Sequence, residues 1–128
     1  MLNVSIVLYH PDWSQVADLT RVILNSSSVN MVYWIDNSPI SQAHLPIESP
    51  QITYQHTGKN LGYGAAHNIA IRESIYDDIP FHLVINSDIV LPEGGLDEML
   101  RFLSHNPEIG AMMPKVIYPN GEIQYLCK

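Results

Sequence analysis

The sequence predicts an α/β sandwich with a largely parallel sheet, and three observations predict it. Short apolar, β-branched runs alternate with stretches of helical period. The runs are close to continuously apolar, which is the pattern of strands covered by helices on both faces. Three of them stop at polar residues, Tyr9-His10, Asp36 and Asn86-Ser87-Asp88, where an open α/β sheet meets its ligands.

Taken in order, residues 2–9 (LNVSIVLY) read as a first, central strand ended by His10-Pro11. Asp12 with Gln15 three positions on has the form of a capping box, and Val16, Leu19 and Ile23 recur at helical spacing to about Asn25. Ser26-Ser27-Ser28 breaks that helix. Residues 31–35 (MVYWI) form a second buried strand with Asp36 at its carboxyl end, closing a β-α-β unit. Residues 37–50, with three prolines, three serines and no periodicity, form a loop, and residues 51–56 (QITYQH) alternate as a short strand does.

A glycine-bearing turn over 57–64 (TGKNLGYG) then opens a helix over about 65–75. Ala65, Ala66, Ile69 and Ala70 give that helix a small-residue face for the sheet, and His67 and Asn68 fall in its first turn. Residues 81–85 (FHLVI) predict a strand buried on both faces. Pro92 and Gly94-Gly95 lead into a helix over 96–105, where Leu96, Met99, Leu100 and Leu103 make one core stripe. Residues 110–118 (GAMMPKVIY) predict a strand bent at its proline, and Asn120-Gly121 is a hairpin signal before a last strand over 122–126.

No repeat, low-complexity segment or linker divides the chain. Its 128 residues make a single domain, residues 1–128, able to bury roughly two-thirds of the surface its unfolded form exposes. Charged residues make up only 15%, against roughly 25% in ordinary globular chains, so part of the surface is expected to be covered, by a partner subunit in a homo-oligomer or by further chain. Thirteen acidic and six scattered basic residues give a net charge of −7, which excludes nucleic acid as a partner. A phosphate ligand would then be neutralised by a metal ion and backbone N–H groups. The single cysteine, Cys127, has no partner for a disulfide, and no apolar run reaches the ~20 residues of a membrane span. The expectation is a cytoplasmic protein, with peripheral contact at the inner face of the membrane left open.

Alternating β and α places the three polar strand ends on one edge of the sheet, beside a Gly62-x-Gly64 turn that presents N–H groups and a positive helix end to an anion. Nucleotide binding is the economical reading. Asp88 offers hard oxygen chemistry suited to Mg²⁺ or Mn²⁺ carried by a phosphate, although Asn-Ser-Asp alone also fills ordinary turns. A dinucleotide fingerprint would follow the first strand, where the chain has His10-Pro11-Asp12, and the P-loop pattern is missing. His10, His44, His56, His82 and His105 show no metal-ligand spacing.

Together VSIVLYH, WIDNSP, NLGYGAAHNIAI, LVINSDIVLPEGGL and GAMMPKV with a following NG resemble, in order and spacing, the GT-A fold glycosyltransferases of family 2, and within them the bacterial rhamnosyltransferase-like branch that builds cell-surface polysaccharide. The resemblance covers essentially the whole chain. It implies the GT-A (nucleotide-diphospho-sugar transferase) fold, a UDP- or dTDP-sugar donor such as dTDP-rhamnose, a saccharide or lipid-linked saccharide acceptor, a divalent metal (Mn²⁺ or Mg²⁺) and inversion of configuration. By family position Asp36 hydrogen-bonds the nucleotide base, and Tyr9 and His10 line the same pocket. Asn60, Gly62, His67 and Asn68 match the loop and helix that contact the nucleotide; for His67 a plain surface role stays open, as packing does for Tyr63. Asn86-Ser87-Asp88 stands at the DxD position, so that Asp88 binds the metal on the diphosphate and Asn86, in place of the first acid, hydrogen-bonds a ribose hydroxyl.

The acceptor hydroxyl needs a carboxylate base, and none of Glu93, Asp97, Glu98, Glu108 and Glu122 stands in the family's later acidic motif. The expectation is a donor-binding N-terminal portion whose base and acceptor segment lie beyond Lys128, weakly active or inactive alone. Two other functions are weighed beside it. A sugar nucleotidyltransferase would need a glycine-rich, Arg- and Lys-bearing loop where HPDWSQ stands, and a non-catalytic interaction module would keep the fold without binding nucleotide.

Overall fold

The computed structural model describes residues 1–125 and follows the alternation read from the sequence. Strand β1 (Leu2–Leu8) leads to helix α1 (Trp13–Leu24), β2 (Val29–Asp36), β3 (Ile52–His56), α2 (Tyr63–Tyr76), β4 (Phe81–Ile85), α3 (Gly95–His105) and the short strands β5 (Val116–Ile117) and β6 (Ile123–Gln124). Cys127, and Leu126 of the expected last strand, lie outside the described residues.

Four strands form one parallel sheet in the order β3-β2-β1-β4, with β1 inside it as its composition predicts. The period of two then sorts side chains between two layers. Leu2, Val4, Ile6 and Leu8 of β1, with Val32 and Trp34 of β2, meet Val16, Leu19 and Ile23 of α1 and Leu96 of α3 in the larger core. On the opposite face Tyr33 and Ile35 of β2 pack on Ala66 and Ala70 of α2, whose small side chains let the helix lie close. Helices thus cover both faces, the α/β/α arrangement of the GT-A fold.

Local chemistry explains the boundaries. Asp12 caps α1, its Oδ1 accepting from the N–H groups of Ser14 at 3.0 Å and Gln15 at 3.3 Å. Helix α2 starts at Tyr63, two residues before the expected Ala65, because Gly62 takes φ 83° and turns the chain straight into it. Trp34, fully buried, donates its indole N–H to Thr20 Oγ1 at 3.1 Å and so ties β2 to α1.

Three expectations are corrected. Strand β4 is not buried on both faces. It is the edge of the sheet, where Val84 is exposed and only Ile85 is buried, because no described strand pairs along its outer side. The strand expected over 110–118 shrinks to Val116–Ile117, which pairs antiparallel with Ile123–Gln124 around Gly121 at φ 88°. A proline at 114 removes a ladder donor, and the exposed residues 110–115 meet no sheet that would hold them extended. Of the α3 stripe only Leu96 is fully buried; Met99 and Leu100 are partly buried against the core, and Leu103 is half-buried.

Candidate functional site

In the order β3-β2-β1-β4 the chain runs outward from β1 through β2 to β3, then returns to the other side of β1 for β4. The direction of winding therefore reverses between β1 and β4, and in open α/β sheets the ligand crevice opens at the carboxyl ends of such a pair. Those ends carry Tyr9-His10 and Asn86-Ser87-Asp88, while the neighbouring β2 ends in Asp36.

Asp36 is 1% exposed, and a carboxylate so deeply placed must be hydrogen-bonded. The Ser38 N–H donates to its Oδ1 at 2.9 Å and the Tyr54 hydroxyl to its Oδ2 at 2.6 Å. Burial, and then donation to Asp36, push the Tyr54 phenol above its ordinary pKa, so it remains a donor. The same hydroxyl accepts from Gln42 N–H at 2.9 Å, which fastens the 37–50 loop over the carboxylate. Asp36, His10, Trp13, Ser38 and Gln42 line an open cleft of ≈ 350 Å³, within the size range of small-ligand sites. His10 turns back at φ 47°, a left-handed conformation held where its N–H donates to Ser38 Oγ at 2.8 Å. Tyr9 is half-exposed, its ring edge-on to His10 at 4.5 Å.

Asn37 joins this cleft to the glycine turn. Its side-chain amide donates to the Gly62 carbonyl at 3.2 Å, and its Oδ1 accepts from the Thr57 hydroxyl at 2.9 Å. Asn60 Oδ1 accepts from Gly62 N–H at 2.9 Å, so Asn60 shapes the turn, with Gly62 exposed at its tip. Helix α2 begins there with no side-chain cap, which leaves its first N–H groups to a ligand or to water. Asn68 is exposed on α2, and Asn86 and Asp88 are exposed beyond β4.

His67 stands elsewhere than the sequence placed it. Its ring is 2% exposed and packs between α2 and the sheet, away from both solvent and the cleft, with Nδ1 2.7 Å from Ser5 Oγ. The reason is period: position 67 lies one residue after Ala66 and three before Ala70, on the buried flank of the helix. Burial lowers its pKa to about 4, so the ring is neutral. Ser5, a polar residue within β1, also contacts His82 Nε2 at 2.8 Å, and His82 Nδ1 lies 2.7 Å from Ser74 Oγ. Tyr54, Ser38 and Asn37 are site residues that pattern reading passed over. The one available signal for Tyr54 was its place on the Trp34 and Asp36 face of neighbouring parallel strands, and that needs the register.

The described residues contain no group of three or more His, Cys, Asp or Glu side chains able to hold a metal by themselves. Asp88 alone, exposed and outside every described ion pair, suits a divalent cation that arrives with most of its shell supplied by phosphate and water. Asp97, by contrast, is taken up in accepting the Ser26 hydroxyl.

A parallel α/β sheet whose strands β1 and β2 end at a cleft holding a buried carboxylate, with an exposed carboxylate separately beyond β4, makes this an α/β protein of GT-A type. The chain belongs to glycosyl transferase family 2, whose family model matches residues 30–125. That span includes Asp36, Asn60, Gly62, His67, Asn68, Asn86 and Asp88, and leaves out Tyr9 and His10. No curated protein matches the chain. The family implies a nucleotide-sugar donor and an acceptor, and its members commonly use a divalent metal.

Proposed function

We propose that this chain binds a UDP- or dTDP-sugar across the carboxyl ends of β2, β1 and β4, for transfer of the sugar to a hydroxyl acceptor with inversion, in the manner of the rhamnosyltransferase-like branch of polysaccharide synthesis. The observation that carries the reading is Asp36, a buried carboxylate opening on the cleft with one donor already on each oxygen. Oriented in this way it can accept only a further N–H or O–H, which suits the imide N–H of uracil or thymine. Trp13 and His10 bound the same cleft for the flat base, and Tyr9 stands behind His10, its ring edge-on to the imidazole. Strand β1 separates β2 from β4, so the ends of β2 and β4 stand about two strand spacings, roughly 10 Å, apart across the sheet, with Asp88 three residues beyond the end of β4.

Within this reading Asn86 bonds a ribose hydroxyl, and Asn60 and Gly62 hold the turn whose N–H groups face the phosphates, with Asn68 beside them. Asp88 holds Mn²⁺ or Mg²⁺. When bound, that ion supplies Lewis-acid stabilisation of charge on the leaving diphosphate. The general base is not one of these donor-side groups.

Calorimetric titration of UDP and dTDP, with Mn²⁺ or with chelator, beside Asp88→Ala, tests the reading. Metal-dependent binding that Asp88→Ala removes is the expected result. Absence of binding by either nucleotide would remove the donor site and leave the non-catalytic module as the better description.

A further inference from the structure

Three hydrogen bonds fix Ser38 in the wall of the cleft, and none of them uses its hydroxyl proton. Its N–H donates to Asp36 Oδ1 at 2.9 Å, two residues back along the chain. Its carbonyl can only accept, and it lies 2.6 Å from His56 Nε2, so that ring nitrogen carries a proton and donates to it. Its Oγ accepts the His10 N–H at 2.8 Å, where the chain turns back at φ 47°. These contacts tie one residue to the segments at the carboxyl ends of β1, β2 and β3. The side chain is therefore held in place before a ligand arrives.

A hydroxyl has one proton and two lone pairs, and the His10 N–H occupies one lone pair here. Among the described residues no acceptor takes the proton. Ser38 is only 6% exposed, and it lines the cleft together with Asp36. A polar group buried in such a wall bonds to whatever fills the cleft, because leaving it unpaired is costly. Asp36, with one donor already on each oxygen, supplies the acceptor of the pair, and the Ser38 N–H bond to Oδ1 keeps the two residues adjacent. An acceptor next to a donor complements an N–H next to a carbonyl. The imide edge of uracil or thymine has that pattern, with N3–H set between O2 and O4.

We infer that Ser38 is a base-binding residue: while Asp36 accepts the imide N–H, the Ser38 hydroxyl donates to a carbonyl oxygen beside it. The inference rests on the donor-site reading and adds to it a second contact on the base. Two bonds to one edge fix the rotation of the ring in its plane, which one bond to Asp36 alone does not.

The test is a double-mutant cycle between protein and ligand. Whichever of UDP and dTDP binds more tightly in Mn²⁺ is compared by calorimetry with its 2-thio and 4-thio analogues, in wild type and in Ser38→Ala. Sulfur accepts hydrogen bonds weakly, so replacing the contacted oxygen should weaken binding to wild type roughly two- to tenfold, the worth of one neutral hydrogen bond. Ser38→Ala should weaken the parent nucleotide by a similar factor and should lose the discrimination against that analogue. Any change that sulfur makes in the imide N–H acts through Asp36 in both proteins and cancels in the cycle. Loss of the His10 bond in Ser38→Ala likewise weakens parent and analogue alike. Equal affinity of wild type for the parent and both analogues would overturn the inference while the donor site stands, and that outcome needs no variant. A Ser38→Ala protein that keeps the wild-type discrimination would also overturn it. Wild type that binds neither UDP nor dTDP would remove the donor reading, and this contact with it.

Discussion

Tyr54 and Asp36 lie on one face of two neighbouring parallel strands, two residues apart in register, with the phenol donating to the carboxylate at 2.6 Å and accepting from Gln42 N–H at 2.9 Å. One hydroxyl therefore orients the buried acid and fastens the loop that roofs the cleft. Tyr54→Phe leaves Asp36 Oδ2 short of a donor and Gln42 N–H short of an acceptor. It should cost about 1–3 kcal/mol, seen as a lower urea midpoint at unchanged slope, and should weaken UDP or dTDP. An unchanged midpoint would show that water replaces the phenol without loss.

Acid should unfold this chain through its buried imidazoles. His67 and His82 are lowered from 6.5 to about 4, by burial first and for His82 also by the charge of His67. Between pH 6.5 and 4 the unfolded chain binds protons at these rings that the folded chain refuses, so stability falls as pH falls through that window. The slope is at most about 1.4 kcal/mol per pH unit for each ring. Denaturation curves from pH 7 to 4 should show the fall, and His82→Gln should flatten it. An equal slope in the variant would place the acid sensitivity elsewhere.

Gly62 and Gly64 should answer alanine in opposite ways. A Cβ meets nothing within 4 Å at either position, so space is not the issue. Gly62 has φ 83°, where an L-residue pays roughly 1–2 kcal/mol, and the loss should appear in both stability and nucleotide affinity. Gly64 is helical, and alanine there should stabilise by up to about 1 kcal/mol. Thermal melts of the two variants decide this directly.

Asp88→Ala should leave stability within about 0.5 kcal/mol of wild type, because the carboxylate is exposed and supports no described hydrogen bond or ion pair. Its effect should be confined to metal-dependent nucleotide binding. A marked drop in melting temperature would assign Asp88 a structural role instead.

Local chemistry made much of this protein legible beforehand. The β-branched runs, the Asp12 cap and the glycine turn act within a few residues of themselves, so strands β1 to β3, helix α1 and the start of α2 could be read with small shifts at their ends. Apolar residues on both sides of each run pointed to a sheet between two helical layers, and the polar strand ends marked the edge where the cleft opens. Residues whose state depends on distant partners could not be read. Phe81–Ile85 has the composition of an inner strand, but its burial depends on whether another strand lies beside it, and it forms the edge. Residues 110–118 have strand composition, yet only Val116–Ile117 finds a described partner strand and 110–115 finds none. His67 is assigned to the interior by the turn at which α2 begins and by Ser5, sixty-two residues away, which gives it a partner there. Likewise Tyr54 becomes part of the site through register alone. Periodicity and turn chemistry are local free energies and are written in the sequence. Which polar group may be buried depends on finding its hydrogen-bond partner, and only the folded chain supplies that.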